Sequence, residues 1–363
     1  MTDSDESTGH GQNGAEPAVT PPGGAPPVTP TPAPLVPPPP VPVMARRTYT
    51  ALRLGSIGVI LVLAVSIARE YFAANPDCLN RSISAYYYTS AQTVFVGTLI
   101  ALGLVMIVLW GKSPVEDGLF NLAGLLAPVV AFVPTDDKPY HCAVTDASGN
   151  QVTKDSQVSQ VIQASLPAVD NNMFAYLSVV GAILLAMIVV GLMAPSRQWS
   201  LVTDNPRAYW IPLLAAAVLW TFGTAEFIWN RDAIYAHAHK ASAITLFFFI
   251  VLAVFDIGFQ KRRGNAALGE PSSMRWAKGY WALGIAMSAG AILIVLVAGQ
   301  LPQEVSDHQV FVLEAWMIFM LAVFWSLQTW DRWMEGAPRT PTEVAALPAV
   351  AAGPAAEAEA PAP

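Results

Sequence analysis

Residues 81–135 read RSISAYYYTSAQTVFVGTLIALGLVMIVLWGKSPVEDGLFNLAGLLAPVVAFVPT. This stretch contains two apolar runs, 91–110 and 119–135, separated by a short polar turn. Each run can cross a hydrocarbon core of about 30 Å as a helix that rises about 1.5 Å per residue. Hydroxyl-bearing side chains precede the first run, and they are Ser82, Ser84, Tyr86, Tyr87, Tyr88 and Thr89. The stretch therefore predicts two neighbouring membrane helices with a polar mouth at one end.

The composition of the whole chain extends this pattern. Hydrophobic residues make up 54% of the 363 positions and charged residues only 12%, about half the charged fraction of an average soluble domain. A large soluble helical protein needs charged faces between its apolar stripes, and the apolar runs here contain scarcely a charge. The predicted spans are residues 52–72, 91–110, 119–135, 173–193, 210–229, 241–259, 280–299 and 310–330. We predict an all-α, polytopic transmembrane helix bundle of eight spans over residues 46–336, in contact with the lipid bilayer.

Two tails of different composition flank the predicted bundle. Residues 1–45 are polar and then rich in proline, and residues 337–363 consist mainly of Ala, Pro and Glu. Neither tail has the apolar side chains that would offset the entropy cost of ordering it, so both are predicted to be disordered. The proline-rich arm is interpreted as a passive tail, with recruitment of a cytoplasmic partner as the alternative. The chain lacks a basic stripe with interleaved aromatic residues, so no nucleic-acid partner is predicted.

The distribution of basic residues predicts the orientation. Lys261, Arg262 and Arg263 lie together in a short loop beside a predicted span, where the positive-inside bias acts most strongly. This cluster faces the cytoplasm if both termini are cytoplasmic. We therefore predict a multi-pass plasma-membrane protein with both ends inside.

The same topology places two cysteines outside. Cys78 precedes the second span, and Cys142 lies in a long outer loop over residues 136–172. An oxidising compartment favours a disulfide between them. Two unpaired thiols are the alternative, because sequence does not fix the distance between the two Cα atoms.

Carboxylates inside the apolar runs are candidate functional groups, since a charge at the bilayer centre costs about 2.5 to 3.5 kcal/mol on insertion scales. Glu226 and Glu314 lie about one turn inside the outer ends of the fifth and eighth predicted spans. They are interpreted either as solvated interfacial groups or as partners across an outward pocket. Asp256, about one turn from Lys261, is interpreted as a solvated or ion-paired group near the headgroups.

The predicted pocket has five bordering residues. They are Ser84, Tyr88, Glu226, His239 and Glu314. The hydroxyl run that contains Ser84 and Tyr88 is either a polar lining or part of an aromatic belt at the interface. Our leading hypothesis is non-enzymatic: the pocket binds or passes a small molecule, an ion or a lipid headgroup.

A metal-dependent membrane hydrolase is the main alternative. Its candidate metal ligands are His237, His239 and His308, and a divalent metal would be its cofactor. Loop histidines without a metal are the simpler interpretation, because no third ligand is fixed by the spacing. The chain contains no His-Glu-x-x-His and no Gly-x-Ser-x-Gly motif. No cofactor is otherwise predicted.

Several short motifs recur together in one group of membrane proteins. They are SISAYYYT at 82–89, VFVG at 94–97, NLAG at 121–124, Pro134-Thr135, HKASA at 239–243 and Leu313-Glu314. In these motifs the chain resembles an uncharacterised family of bacterial multi-pass membrane proteins over residues 80–330. The resemblance gives weight to Ser84, Tyr88, His239 and Glu314, and it implies no particular reaction.

Overall fold

The computed structural model describes residues 43–74, 79–135, 144–145, 151–152, 154–197, 206–264, 271–302 and 306–333. The predicted proline-rich arm, apart from its last three residues, and the predicted tail over residues 337–363 lie outside the described residues. So do Cys78 and Cys142, the two candidates for a disulfide.

Each predicted apolar run coincides with a helix, which confirms the all-α prediction. The helices are α1 (Val43–Ala74), α2 (Gln92–Val108), α3 (Pro114–Phe132), α4 (Lys154–Arg197), α5 (Pro206–Trp229), α6 (Arg231–Arg263), α7 (Met274–Ala298) and α8 (Gln309–Asp331). A 3-10 turn, Ser84–Tyr88, precedes α2. Two-residue strands β1 (Val144–Thr145) and β2 (Gln151–Val152) pair antiparallel before α4.

Seven of the described helices are long and apolar enough to cross a membrane. The helix α2 is also apolar but has only 17 residues. Large apolar side chains on the outward faces are exposed, with Val65 at 68%, Val218 at 68% and Ile244 at 71%. Such extensive apolar exposure is unfavourable in water and ordinary in hydrocarbon. These helices indicate an integral membrane protein.

Several helices begin before their predicted spans, and local contacts explain two of these differences. The first is at α3, which starts at Pro114 rather than near residue 119. The Ser113 side chain accepts a hydrogen bond from the Glu116 amide at 2.9 Å and caps the helix, and Pro114 at the first position favours the helical φ.

The second difference is at α4. Helical structure begins at Lys154, within the predicted outer loop over residues 136–172. Val169 and Met173 are buried against Val133, Phe227 and Ile234, so the helix has tertiary contacts on the N-terminal side of its predicted span. Tertiary packing therefore supports the helix in a segment that the sequence pattern assigned to a loop.

Within the described residues, six helices form a closed ring in which α1, α2, α3, α6, α7 and α8 each contact the next, and α8 returns to α1. The interior of the ring contains buried side chains such as Phe120, Ile250, Met287, Phe324 and Trp325. The helices α4 and α5 pack against each other and against α3 outside the ring. The ring brings the ends of α3, α6 and α8 together.

The backbones of α2 and α3 approach each other closely at two glycines. A Cβ added to Gly124 would lie 2.6 Å from the Gly103 carbonyl oxygen, and one added to Gly103 would lie 2.8 Å from the Gly124 oxygen. Only glycine allows this backbone contact. It holds the end of α3 close to the segment that precedes α2.

Candidate functional site

Three of the predicted pocket residues meet at one end of the ring. The Ser84 hydroxyl lies 2.6 Å from Oε1 of Glu314 and 2.8 Å from Nε2 of His239. The other imidazole nitrogen, Nδ1, lies 2.7 Å from the Val133 carbonyl oxygen. We call Ser84, Val133, His239 and Glu314 the histidine cluster. Ser84 and His239 are only 4% and 5% exposed, whereas Glu314 is half-buried.

Four elements position this cluster. Ser84 opens the 3-10 turn, and Val133 is the C-cap of α3, so its carbonyl lies beyond the last helical position. His239 directly follows a π-helical stretch, Ile234–Ala238, inside α6, and π-bulges are frequent at functional sites. Glu314 lies in the second turn of α8.

The backbone of the SISAYYYT segment is bonded to Glu314 as well. Oε2 of Glu314 accepts hydrogen bonds from the amides of Ile83 at 2.6 Å and Ser84 at 3.3 Å. From Ser82 to Tyr87 every residue is buried. Buried backbone amides outside a regular helix require hydrogen-bond partners within the protein, and the carboxylate supplies two of them.

The three bonds that link the cluster side chains to each other and to Val133 require three protons. A carbonyl oxygen only accepts, so Nδ1 of His239 carries the proton shared with Val133. The Ser84 hydroxyl has one proton for two bonds. The remaining proton belongs either to Nε2 of His239, which is then an imidazolium, or to Glu314, which is then a neutral acid. With that proton the cluster has no net charge, and without it the cluster has a charge of −1.

Neighbouring charged groups are themselves paired. Arg81 and Asp307 form an ion pair at 2.8 Å, and the Arg81 carbonyl accepts from the Phe311 amide at 2.9 Å. This holds the SISAYYYT segment to the start of α8. Burial raises the pKa of Tyr86 and of Tyr87, so both phenols are neutral near pH 7 and bring no charge to the cluster.

The other predicted pocket residues lie differently. The Tyr88 hydroxyl donates to the Thr135 carbonyl oxygen at 3.0 Å and so links the 3-10 turn to the end of α3. Glu226 is half-buried near the end of α5, and the hydrogen bonds that build the cluster do not include it. The structure thus brings together Ser84, His239 and Glu314, whereas Tyr88 bonds to the backbone at the end of α3. Their role in ligand binding remains a prediction.

The histidines predicted as metal ligands do not form a ligand set. His237 is exposed, and His239 uses both ring nitrogens in hydrogen bonds to Val133 and Ser84. His308 is the N-cap residue of α8. Across the described ranges, no group of three or more His, Cys, Asp and Glu residues could hold a metal ion.

A second polar cluster lies at the opposite end of the same three helices, and sequence reasoning missed it. Glu116 and Arg332, which are 1% and 2% exposed, form an ion pair at 2.9 Å. Oε2 of Glu116 accepts from the Lys112 amide at 3.0 Å and from Gln260 at 3.3 Å. We call Ser113, Glu116, Asp256, Gln260 and Arg332 the arginine cluster.

Asp256 belongs to this arginine cluster rather than to an ion pair with Lys261. It accepts from the Ser113 hydroxyl and from Gln260, each at 2.7 Å. Lys261 instead pairs with Asp331 at 2.7 Å. The sequence did carry one signal for this cluster, because Ser113-Pro-Val-Glu116 has the spacing of an N-terminal capping box.

No protein-family model, curated protein or solved structure matches the chain.

Proposed function

We propose that this membrane protein binds a small monovalent cation at the histidine cluster in exchange for a proton. The observation that supports the proposal is the hydrogen-bonded chain from Glu314 through Ser84 to His239, which needs one shared proton for its three bonds. A proton that two titratable side chains share is exchangeable, and ionisable groups inside a membrane bundle are the usual carriers of ion or proton chemistry.

Charge neutrality explains why the competing ligand is a cation. Loss of the shared proton changes the summed charge of the cluster's side chains from zero to −1, and added negative charge is unfavourable in a largely buried environment. A monovalent cation beside Glu314 restores a neutral total. Sodium, potassium and primary ammonium ions, including amine headgroups, have the required charge. Glu314 is the point of entry because it is the most exposed of the cluster's three side chains.

The proposed orientation places the histidine cluster on the extracytoplasmic side of the plasma membrane, with eight spans and both termini in the cytoplasm. Basic residues at the end of the arginine cluster support it. They include Lys112, Lys261, Arg262, Arg263, Arg275 and Lys278. The family resemblance drawn from the SISAYYYT motif belongs to the same proposal.

A titration of proton release tests the proposal. Purified full-length protein in lipid nanodiscs is placed in weakly buffered indicator dye, and NaCl, KCl or ethanolamine hydrochloride is added. N-methylglucamine chloride controls for ionic strength. We expect at least one small cation to release about one proton per wild-type molecule, since one proton is shared in the cluster. Glu314→Gln should release none, because it removes the carboxylate whose negative charge the cation balances when the shared proton leaves.

Glu226→Gln is the matched control, since it makes the same change at the same end outside the hydrogen bonds of the cluster. It should release protons as the wild type does. The proposal fails if no cation releases a proton from the wild type, or if Glu314→Gln releases as many as the wild type.

The two alternative functions have less support. A metal-dependent hydrolase would need His239 to give up a hydrogen bond and to find further ligands outside the described residues. A scaffold role would depend on the proline-rich arm, which lies almost wholly outside them.

A further inference from the structure

We propose that the Ser84 hydroxyl passes a proton between Glu314 and His239, so that the half-buried carboxylate loads the buried imidazole. This inference rests on the proposed function and names the route within the same site. Ser84 is the bridging group, because both of its side-chain bonds, at 2.6 Å and 2.8 Å, lead to titratable groups.

The transfer step conserves atoms and charge. In one state Nε2–H of His239 donates to Ser84 Oγ, and the Ser84 proton is donated to Oε1 of Glu314. The proton on Nε2 then moves to Oγ as the serine proton moves to Oε1. The imidazolium and carboxylate become a neutral imidazole and a neutral acid, and the serine remains a hydroxyl. No heavy atom has to change partner, because the same two contacts serve both states.

The exposure of the two ends gives the relay a direction. Glu314 is half-buried and exchanges protons with the outside, whereas His239 is 5% exposed and Ser84 is 4% exposed. The second imidazole nitrogen is held by the Val133 carbonyl, which cannot take a proton at neutral pH. Of these two described contacts of His239, the one to Ser84 is therefore the route for its exchangeable proton.

The position of Ser84 does not depend on its hydroxyl. Its amide and the amide of Ile83 donate to Glu314, and the Ser82 hydroxyl accepts from the Ala85 amide at 3.0 Å. The variant Ser84→Ala should therefore keep the 3-10 turn and both titratable groups in place while it removes the bridge.

Several charged and titratable groups near the relay have described partners of their own. Arg81 of the preceding loop pairs with Asp307 before α8. Asp170 of α4 accepts from Arg231 and from the Tyr235 hydroxyl in α6. Tyr88 donates to the backbone of the α3 end. Each of these groups has a described partner other than Ser84, and Ser84 is bonded to Glu314 and His239.

Time-resolved infrared spectroscopy after a pH jump tests the relay on full-length protein in nanodiscs. The carboxylic-acid band of Glu314 is assigned by its loss in Glu314→Gln, and the imidazole bands of His239 by their loss in His239→Gln. In the wild type both signals should change together. In Ser84→Ala the His239 signal should slow by roughly a hundredfold, which is the lower end of what a positioned proton-transfer group contributes.

Two variants and one isotope measurement decide the outcome. Ser84→Thr keeps a hydroxyl and should retain the wild-type rate, and Ser90→Ala removes an exposed hydroxyl just after the same segment, outside the relay, and should also retain it. The wild-type His239 signal should be slower in D2O, a readout that requires no variant to fold. The relay is wrong if Ser84→Ala keeps the wild-type rate, or if the wild-type rate is the same in H2O and D2O.

The result also separates the two proposals. If Ser84→Ala leaves the His239 rate unchanged while cation-driven proton release still depends on Glu314, only the relay is wrong. If Glu314→Gln releases protons as the wild type does, the proposed cation exchange is wrong whatever the relay shows.

Discussion

The two polar clusters lie at opposite ends of α3, α6 and α8 and differ in the number of protons that their hydrogen bonds need. Glu314 and Arg332 are 18 residues apart, roughly 27 Å at about 1.5 Å per helical residue. In the arginine cluster, Asp256 accepts from Ser113 and Gln260, and Glu116 accepts from Arg332, with every group in its ordinary charge state. In the histidine cluster, the corresponding bonds need an additional proton.

This difference separates a structural from a functional polar cluster. Both are largely buried and both join the same three helices. A cluster built on a buried ion pair loses stability when one of the two charges is removed, since the pairing is lost and the other charge stays buried. A cluster with a shared proton has two protonation arrangements with the same contacts, and ionisable groups of that kind are candidates for function.

The same substitution at the two ends gives the largest expected contrast. Glu116→Gln places an amide NH2 among donors from Lys112, Gln260 and Arg332 and removes the carboxylate that pairs with the buried guanidinium. We expect a loss of about 3 to 5 kcal/mol in the free energy of unfolding. Glu314→Gln mimics the protonated acid, with its carbonyl toward Ile83 and its NH2 toward Ser84, and should lose about 1 kcal/mol or less. Unfolding in mixed micelles measures both.

Arg263→Met serves as the control for this contrast, because it removes an exposed positive charge at the end of the arginine cluster. Its effect should stay within about 0.5 kcal/mol. Equal losses for Glu116→Gln and Glu314→Gln would contradict the distinction between the clusters.

A pair of serine variants sharpens the comparison at intermediate size. Ser113→Ala removes the N-cap of α3 and a donor to Asp256, so we expect a loss of about 1 to 2 kcal/mol. Ser84→Ala should lose about 0.5 to 1.5 kcal/mol, because the backbone of Ser84 stays bonded to Glu314. The same unfolding measurement ranks the two, and a larger loss for Ser84→Ala would make that hydroxyl mainly structural.

The smallest expected effects test residues around the histidine cluster. Tyr88→Phe removes the hydrogen bond to Thr135 and should lose about 0.5 to 1.5 kcal/mol without changing cation-driven proton release. Glu226→Gln should change stability by at most about 0.5 kcal/mol. Loss of proton release in Tyr88→Phe would extend the functional site to the end of α3.

The contrast also shows why one site was predictable and the other was not. A glutamate inside an apolar run is conspicuous, so Glu314 became a candidate from its position alone, and the SISAYYYT and HKASA motifs added Ser84 and His239. Glu116 and Arg332 lie outside the predicted spans, where a charge is ordinarily solvated. Glu226 also lies inside an apolar run, yet it is outside the cluster. A carboxylate's position in the sequence does not specify which neighbours its helix will have.

The sequence by itself determined that the chain forms apolar helices of membrane-spanning length and which few residues in them are polar, because hydrophobic length and charge are local properties. Only the tertiary structure decided which of those residues meet. Ser84 and His239 are 155 residues apart in the sequence, and Ser84 and Glu314 are 230 residues apart. Their convergence depends on the order in which six helices close into a ring and on a glycine contact between α2 and α3. The shared proton follows from distances between side chains, which no local pattern contains.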